Sequence, residues 1–254
     1  MIYFLLAAYN EADSIEPVFT SIKRAISRDF IILLVDDGSN DGTSGKASSV
    51  ARHSNISLEL IRHPRNLGLG AALRTGFEWI DKNASPDDIV VTMDCDDTHP
   101  PETVGAMINK LGTVSRPGCD AVIASRFVKG GRCSGVSLLR SVISRAGSIF
   151  MSTIFRGSAV SDWTSGFRAY NAPALKKAGV PSLMRAKGFS AQLEILFLLL
   201  GSGALIGESA LRMDYSLKKS PSKMRLIPLL FEYLHVGSRF LLYKIVASSI
   251  MWPT

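Results

Sequence analysis

The sequence predicts an α/β fold of the doubly wound type: a mixed, mostly parallel sheet with helices on both faces, followed by C-terminal amphipathic helices. Three observations carry this. Short apolar runs alternate with segments of helical spacing through the first half of the 254-residue chain. The residues able to do chemistry fall directly after the apolar runs, where open α/β sheets bind ligands. A composition of 46% hydrophobic and 20% charged residues is that of a chain with a buried core, in one large domain or one domain with an appendage.

The elements follow in order. Ile2–Ala8 is a continuous apolar run of the kind buried in a parallel sheet, broken by Asn10–Asp13. Ile15–Ile26 has helical spacing. Phe30–Val35 is a second strand and stops at Asp36-Asp37-Gly38-Ser39, after which a helix is expected from Thr43 to Arg52, with Thr43 as a candidate cap. Ser57–Arg62 is a third strand, and Asn66–Ile80 a helix after a glycine-containing start. Ile89–Met93 is a fourth strand that ends at Asp94. Pro101–Leu111 is a helix with proline near its first turn, and Ala121–Ala124 a fifth strand.

After residue 130 the pattern changes. Leu138, Leu139, Val142, Ile143, Ile149, Phe150, Ile154 and Phe155 recur within 136–156, punctuated by Arg140, Arg145 and Arg156. Two readings fit: an amphipathic helix in a membrane interface, or a helix packed on the sheet. A second amphipathic segment spans 226–254, with Arg239 and Lys244 among apolar residues. The domain reading is therefore a catalytic unit over 1–225 and a helical segment over 226–254.

Charge and cysteines bound the partners. Net charge is +7, the pI about 9.4 and the mean hydropathy +0.19, which favour anionic partners and some apolar surface. No aromatic–basic interleaving supports nucleic acid as a partner. Cys95, Cys119 and Cys133 form neither a disulfide framework nor a CxxC zinc pair, so a reducing cytoplasm is expected. The start MIYFLLAAYNE lacks a basic leader region, and no uncharged run reaches the ~18–20 residues of a membrane span. Peripheral attachment at the cytoplasmic face of an anionic membrane follows as the expectation, with a membrane subunit or a homo-oligomer as further routes.

Two motifs carry chemistry. Asp94-Cys95-Asp96-Asp97 follows a buried strand, and three neighbouring carboxylates repel unless a cation lies between them. Mg²⁺ or Mn²⁺ suits such oxygen ligands and is commonly shared with phosphate oxygens. Asp36–Thr43 combines carboxylates with turn glycines that allow close ligand approach, although a bare turn is also compatible with it.

Ala8-Tyr9-Asn10-Glu11, Asp36–Thr43, Asn66-Leu67-Gly68-Leu69-Gly70, Asp94–Glu102, Ser125-Arg126-Phe127 and Thr164-Ser165-Gly166-Phe167-Arg168 occur in this order at fitting distances. Over roughly residues 2–225 the set resembles family 2 glycosyltransferases of the GT-A fold, in particular dolichol-phosphate mannose synthases and polyprenyl-phosphate glycosyltransferases. The resemblance implies an inverting, metal-dependent transfer of a hexose from a nucleotide diphosphate sugar, of GDP-mannose or UDP-glucose type, to a lipid phosphate. It implies that Tyr9, Glu11, Asp37 and Asp94 hold the nucleoside, with Asp36 a second candidate and Ala8, Gly38 and Cys95 in the same motifs. Asp96 would bind the metal and diphosphate together with Asp94. Where those relatives carry a ligating glutamine this chain has Thr98, and Asp97 is the possible substitute. Arg126 would contact phosphate, and Arg140 and Arg145 are candidates for the lipid phosphate or headgroups. Asp162 and Arg168 belong to the acceptor-side loop, and His99 shapes the metal loop. Lys218-Lys219-Ser220-Pro221-Ser222-Lys223 resembles the basic segment of lipid-phosphate enzymes, with Lys219 and Lys223 beside the leaving diphosphate; a solvated basic loop is the plain alternative. Transfer to a sugar hydroxyl, with Asp162 as base, is the rival activity. A non-catalytic nucleotide-sugar-binding protein is the rival class.

Overall fold

A computed structural model describes residues 1–113, 116–135, 138–155 and 160–214. The basic segment with Lys219 and Lys223, the helical segment expected over 226–254 and Arg156 lie outside these residues.

The chain opens with β1 (Ile2–Ala8), α1 (Ala12–Ala25), β2 (Phe30–Asp36), α2 (Thr43–His53), β3 (Leu58–Arg62), α3 (Leu69–Asn83), β4 (Ile89–Asp94), α4 (Thr103–Ile108) and β5 (Ala121–Ser125). There follow β6 (Arg132–Ser134), α5 (Leu138–Ile154), β7 (Arg168–Asn171), α6 (Ala172–Lys177), α7 (Val180–Leu183), α8 (Ala191–Gly201), β8 (Ile206–Ala210) and β9 (Arg212–Asp214). Seven strands form one sheet in the order β3-β2-β1-β4-β7-β5-β8, and β6 pairs with β9 in a separate ribbon. All pairings in the large sheet are parallel except those of β7, which runs antiparallel to both β4 and β5.

Side chains alternate across each strand, so the sheet has two cores. Phe4, Leu6, Ile32, Leu34 and Val91 pack against Phe19 and Ile22 of α1, Val50 of α2 and Met107 of α4. Leu5, Leu33, Val35 and Val90 face the other way, against Phe77 and Ile80 of α3, Leu175 of α6, Val180 of α7 and Ile195 of α8. Burial on both faces is why β1, β2 and β4 read as unbroken apolar runs.

Three sequence expectations are corrected. The third helix begins at Leu69 rather than Asn66, because Gly68 at φ 96° is its cap. The fourth is shorter than Pro101–Leu111, and Leu111 bridges to Cys119 instead. Thr43 does begin α2, but the cap is Gly42 and the Thr43 hydroxyl is used elsewhere. The two faces of α5 differ. Met151 and Phe155 join a cluster with Trp163, Leu196 and Phe197, whereas Val142, Ile149 and Phe150 are 56%, 58% and 50% exposed. No helix of the described residues is long and apolar enough to cross a membrane.

Candidate active site

β2, β1 and β4 are neighbours, so the loops after them share one edge of the sheet. Hydrogen bonds stitch the first two loops together. Asn10 N–H donates to Ser39 Oγ (2.9 Å), Asn40 N–H to Asn10 Oδ1 (3.0 Å), Glu11 N–H to Thr43 Oγ1 (3.0 Å) and Ala12 N–H to Asp41 Oδ2 (3.0 Å). Each of the three loops holds a left-handed residue: Asn10 (φ 51°), Gly38 (φ 77°) and Asp97 (φ 62°). Such backbone in a non-glycine residue is costly and concentrates at functional sites. At Gly38 a Cβ would also stand 2.4 Å from the Arg65 carbonyl carbon, so only glycine lets this turn lie on the 65–66 backbone.

Both aspartates of the second loop are buried and clamped. Asp36 accepts from Ser39 N–H (2.9 Å) and the Ser44 hydroxyl, with Arg62 Nε at 3.8 Å. Asp37 accepts from Leu67 N–H (2.9 Å) and Gly68 N–H (2.8 Å), which fixes the start of α3. His63 Nδ1 lies 2.7 Å from Asp37 Oδ1, and its Nε2 lies 3.0 Å from Thr75 Oγ1. An ionised carboxylate only accepts, which assigns the proton to Nδ1.

In the third loop, Asp94 N–H donates to His99 Nδ1 (3.0 Å), and the His99 ring stacks on Phe167 at 5.0 Å. The Asp94 side chain is 43% exposed. Asp96 is buried and accepts from Thr98 N–H (3.2 Å) and the Thr98 hydroxyl (2.6 Å), so Thr98 braces Asp96. Ala8 and Cys95 face the core, leaving their backbone to line the edge. Among the described residues no three of His, Cys, Asp and Glu gather into a metal cage. That donor set fits Mg²⁺ or Mn²⁺, which are commonly held by one or two carboxylates and completed by phosphate and water.

A second region adjoins β5. Arg126 grips Asp162 with two hydrogen bonds, Nε to Oδ2 at 2.8 Å and Nη2 to Oδ1 at 2.7 Å, and reaches Thr164 Oγ1 at 2.6 Å. Asp162 is 0% exposed. Burial pushes its pKa up, but the Arg126 hydrogen bonds and charge, with backbone N–H groups of Arg126 and Thr164, outweigh burial and hold it below the usual carboxylate range. Arg126 and Arg145 also lie over the Phe127 ring, 5.2 and 5.3 Å from its centroid. The Arg140 side chain lies outside the description. Arg168, expected to act on substrate, is fully buried and donates to the carbonyls of Ser165, Trp163 and Gln192, where it positions the loop from behind.

Four supporting residues escaped the sequence reading. They are His63; Glu208, whose Oε1 accepts from Asp162 N–H (2.9 Å); Glu194, whose carboxylate accepts from Arg185 N–H (2.8 Å) and Ala186 N–H (2.7 Å); and Gln192, packed on Gly166. A polar residue inside the apolar run of α8 was the one available signal.

Fold and site together place the chain in the GT-A class of glycosyltransferases. The structure is similar to glucosyl-3-phosphoglycerate synthase from Mycobacterium tuberculosis in complex with Mn²⁺, UDP-glucose and phosphoglyceric acid, with TM-score 0.65 and 22% identity over 96% of this chain and 79% of that one. It is also similar to that enzyme with Mg²⁺ and UDP, with TM-score 0.60 and 22% identity over 90% of this chain and 74% of that one. The chain belongs to glycosyl transferase family 2, whose model matches residues 3–179. It is 28% identical to a polyprenol monophosphomannose synthase of Mycolicibacterium smegmatis over 80% of this chain and 74% of that one. It is 31% identical to an undecaprenyl-phosphate mannosyltransferase of Micrococcus luteus over 76% of this chain and 75% of that one. It is 33% identical to a dolichol-phosphate mannosyltransferase of Pyrococcus furiosus over 76% of this chain and 51% of that one.

Proposed function

We propose that this glycosyltransferase moves a hexose, with inversion, from a nucleotide diphosphate sugar of GDP-mannose or UDP-glucose type to a polyprenyl or dolichyl phosphate. The observation that carries the acceptor class is the state of Asp162. It is the only carboxylate in the 160–168 loop, and it is buried, doubly bonded to Arg126 and held in its ionised form. Transfer to a sugar hydroxyl needs a base that can take up a proton near neutral pH. A lipid phosphate is already ionised and needs none. The mannosyltransferase relatives with lipid-phosphate names support the same reading.

Asp94 and Asp96 are the residues that would hold Mg²⁺ or Mn²⁺, with Asp97 and Thr98 shaping their loop. The ion, when bound, neutralises charge on the departing diphosphate. Tyr9, Glu11, Asp36, Asp37 and Gly38 frame the nucleoside pocket. Arg126, with Lys219 and Lys223 from the basic segment, supplies cations for phosphate oxygens and orients the acceptor for in-line attack. The exposed apolar face of α5 attaches the enzyme peripherally to the cytoplasmic face of an anionic membrane.

A screen of radiolabelled nucleotide sugars against polyprenyl phosphate, polyprenol and soluble sugars tests this. Label is expected in the lipid phosphate alone, with Mn²⁺ or Mg²⁺ and not with EDTA. Label in a sugar hydroxyl and none in the lipid would sink the acceptor assignment.

A further inference from the structure

We infer that His63 is a positioning residue for the donor nucleotide: acting through Asp37, it holds together the two loops that frame the nucleoside, and so sets donor affinity rather than the rate of transfer. This rests on the nucleoside frame proposed above. His63 directly follows β3 and is 8% exposed. Its backbone N–H donates to Asp36 O at 2.8 Å, which ties it to the end of β2. Its ring bridges two elements, with Nδ1 2.7 Å from Asp37 Oδ1 and Nε2 3.0 Å from Thr75 Oγ1 of α3.

These two partners fix the ring. With the proton on Nδ1, the neutral imidazole has a bare Nε2, and the Thr75 hydroxyl donates to it. Thr75 thus selects the tautomer that donates to Asp37 and keeps the ring from turning. The donor matters because Asp37 is 3% exposed and, among the described residues, pairs with no lysine or arginine. A buried carboxylate so placed depends on hydrogen bonds. It accepts three: from His63 and Leu67 N–H on Oδ1, and from Gly68 N–H on Oδ2.

Leu67 and Gly68 belong to the loop that Asp37 helps to hold. His63 is the one side-chain donor, and it is anchored apart from that loop, to β2 by its backbone and to α3 by Thr75. Without it Asp37 is free to shift, and with it both sides of the nucleoside frame. The 67–68 backbone is one side; the other is Gly38, which lies on the 65–66 backbone. The metal loop has braces of its own, Thr98 on Asp96 and His99 on the Asp94 N–H. The effect of His63 is therefore confined to the nucleoside end.

The experiment compares wild type, His63→Leu and His63→Asn. Binding of GDP and of UDP with Mn²⁺ is read by calorimetry, beside steady-state kinetics on the preferred nucleotide sugar and thermal unfolding. Leucine fills the space without a donor, whereas asparagine offers an amide N–H near the position of Nδ1–H. His63→Leu is expected to bind the preferred nucleoside diphosphate about tenfold or more weakly, the scale of a hydrogen bond to a charged group. Donor KM should rise in step, with kcat and acceptor KM within about twofold of wild type. His63→Asn should return affinity to within about threefold of wild type. Unchanged affinity in His63→Leu, an equal fall in kcat, or a loss that asparagine does not restore overturns the inference alone. If wild type binds neither GDP nor UDP, the inference and the proposed function fall together. If His63→Leu does not fold, Thr75→Val decides. It frees the ring while keeping the Asp37 contact, and should weaken nucleoside diphosphate binding by about threefold at unchanged kcat; full affinity there overturns the assignment.

Discussion

At Asp162, burial and charge pull in opposite directions, and the Arg126 guanidinium decides the outcome. Removing one partner of such a pair leaves an uncompensated buried charge. Arg126→Met should therefore destabilise the fold by about 3 kcal/mol at pH 7 in urea unfolding. The sign with pH follows from the depressed native pKa. The stability that Asp162 contributes is present above its unfolded pKa and is lost as pH falls through the native one. Wild type and Arg126→Met should accordingly converge on acidification, since a protonated Asp162 needs no partner. A gap that widened towards pH 4 would contradict the ion-pair account. Asp96 makes a different demand. Asp96→Ala should cut metal-dependent turnover at least about 100-fold, the usual scale for losing a charge-stabilising group, while unfolding cooperatively. Full activity in that variant would remove the metal from Asp96.

Between elements, the tightest fit joins α3, the 185–188 backbone and α8. Gly70 N–H donates to Lys187 O at 2.8 Å, and a Cβ on Gly70 would stand 2.0 Å from Ala186 O. Glu194 holds the same backbone from α8, and Asp37 holds Leu67 and Gly68 just before α3. Gly70→Ala must push this layer apart, at a cost of roughly 1–3 kcal/mol, and should weaken nucleoside diphosphate binding in calorimetry. Gly45→Ala is the contrasting case: its Cβ meets nothing within 4 Å in the first turn of α2, so it should stabilise by about 0.5 kcal/mol. The same contrast explains what was legible in the sequence. β1, β2 and β4 could be placed to within a residue because double-faced burial writes a continuous apolar run. β7 could not, because Arg168-Ala169-Tyr170-Asn171 is short and half polar, and burial of its Arg168 depends on the carbonyls of Ser165, Trp163 and the distant Gln192. Burial all round hid the helical period of α8. At the site, the loops were visible as motifs. Their braces were not, because Asp37–His63, Asp162–Arg126 and Gln192–Gly166 join residues that only the folded topology brings together.

Over the whole molecule, charge is segregated. From Ala121 to Ser161 there is no acidic residue, while Arg126, Lys129, Arg132, Arg140, Arg145 and Arg156 all fall there. The exposed Val142, Ile149 and Phe150 of α5 lie in this stretch. An exposed apolar face within a cation-rich, acid-free stretch of sequence suits an anionic bilayer. Replacing Ile149 and Phe150 together by glutamate should lower binding to phosphatidylserine-containing vesicles by about tenfold or more, given ~1.5–3 kcal/mol for each buried large side chain. Turnover of a short, water-soluble polyprenyl phosphate should be unaffected, and vesicle binding that is absent in wild type or unchanged in the variant would sink the proposed attachment through α5.

The inverted strand β7 has a consequence for biosynthesis. It is wedged between β4 and β5, yet it leaves the ribosome about 75 residues after β4 is complete. At roughly 5–20 residues per second, Ile89–Met93 spends on the order of several seconds as a naked apolar margin of a nascent half-sheet. Unpaired margins of that kind recruit other chains, so the growing polypeptide is most vulnerable to self-association before Arg168 emerges, and a chaperone that shields β4 in that interval would raise the yield of native enzyme.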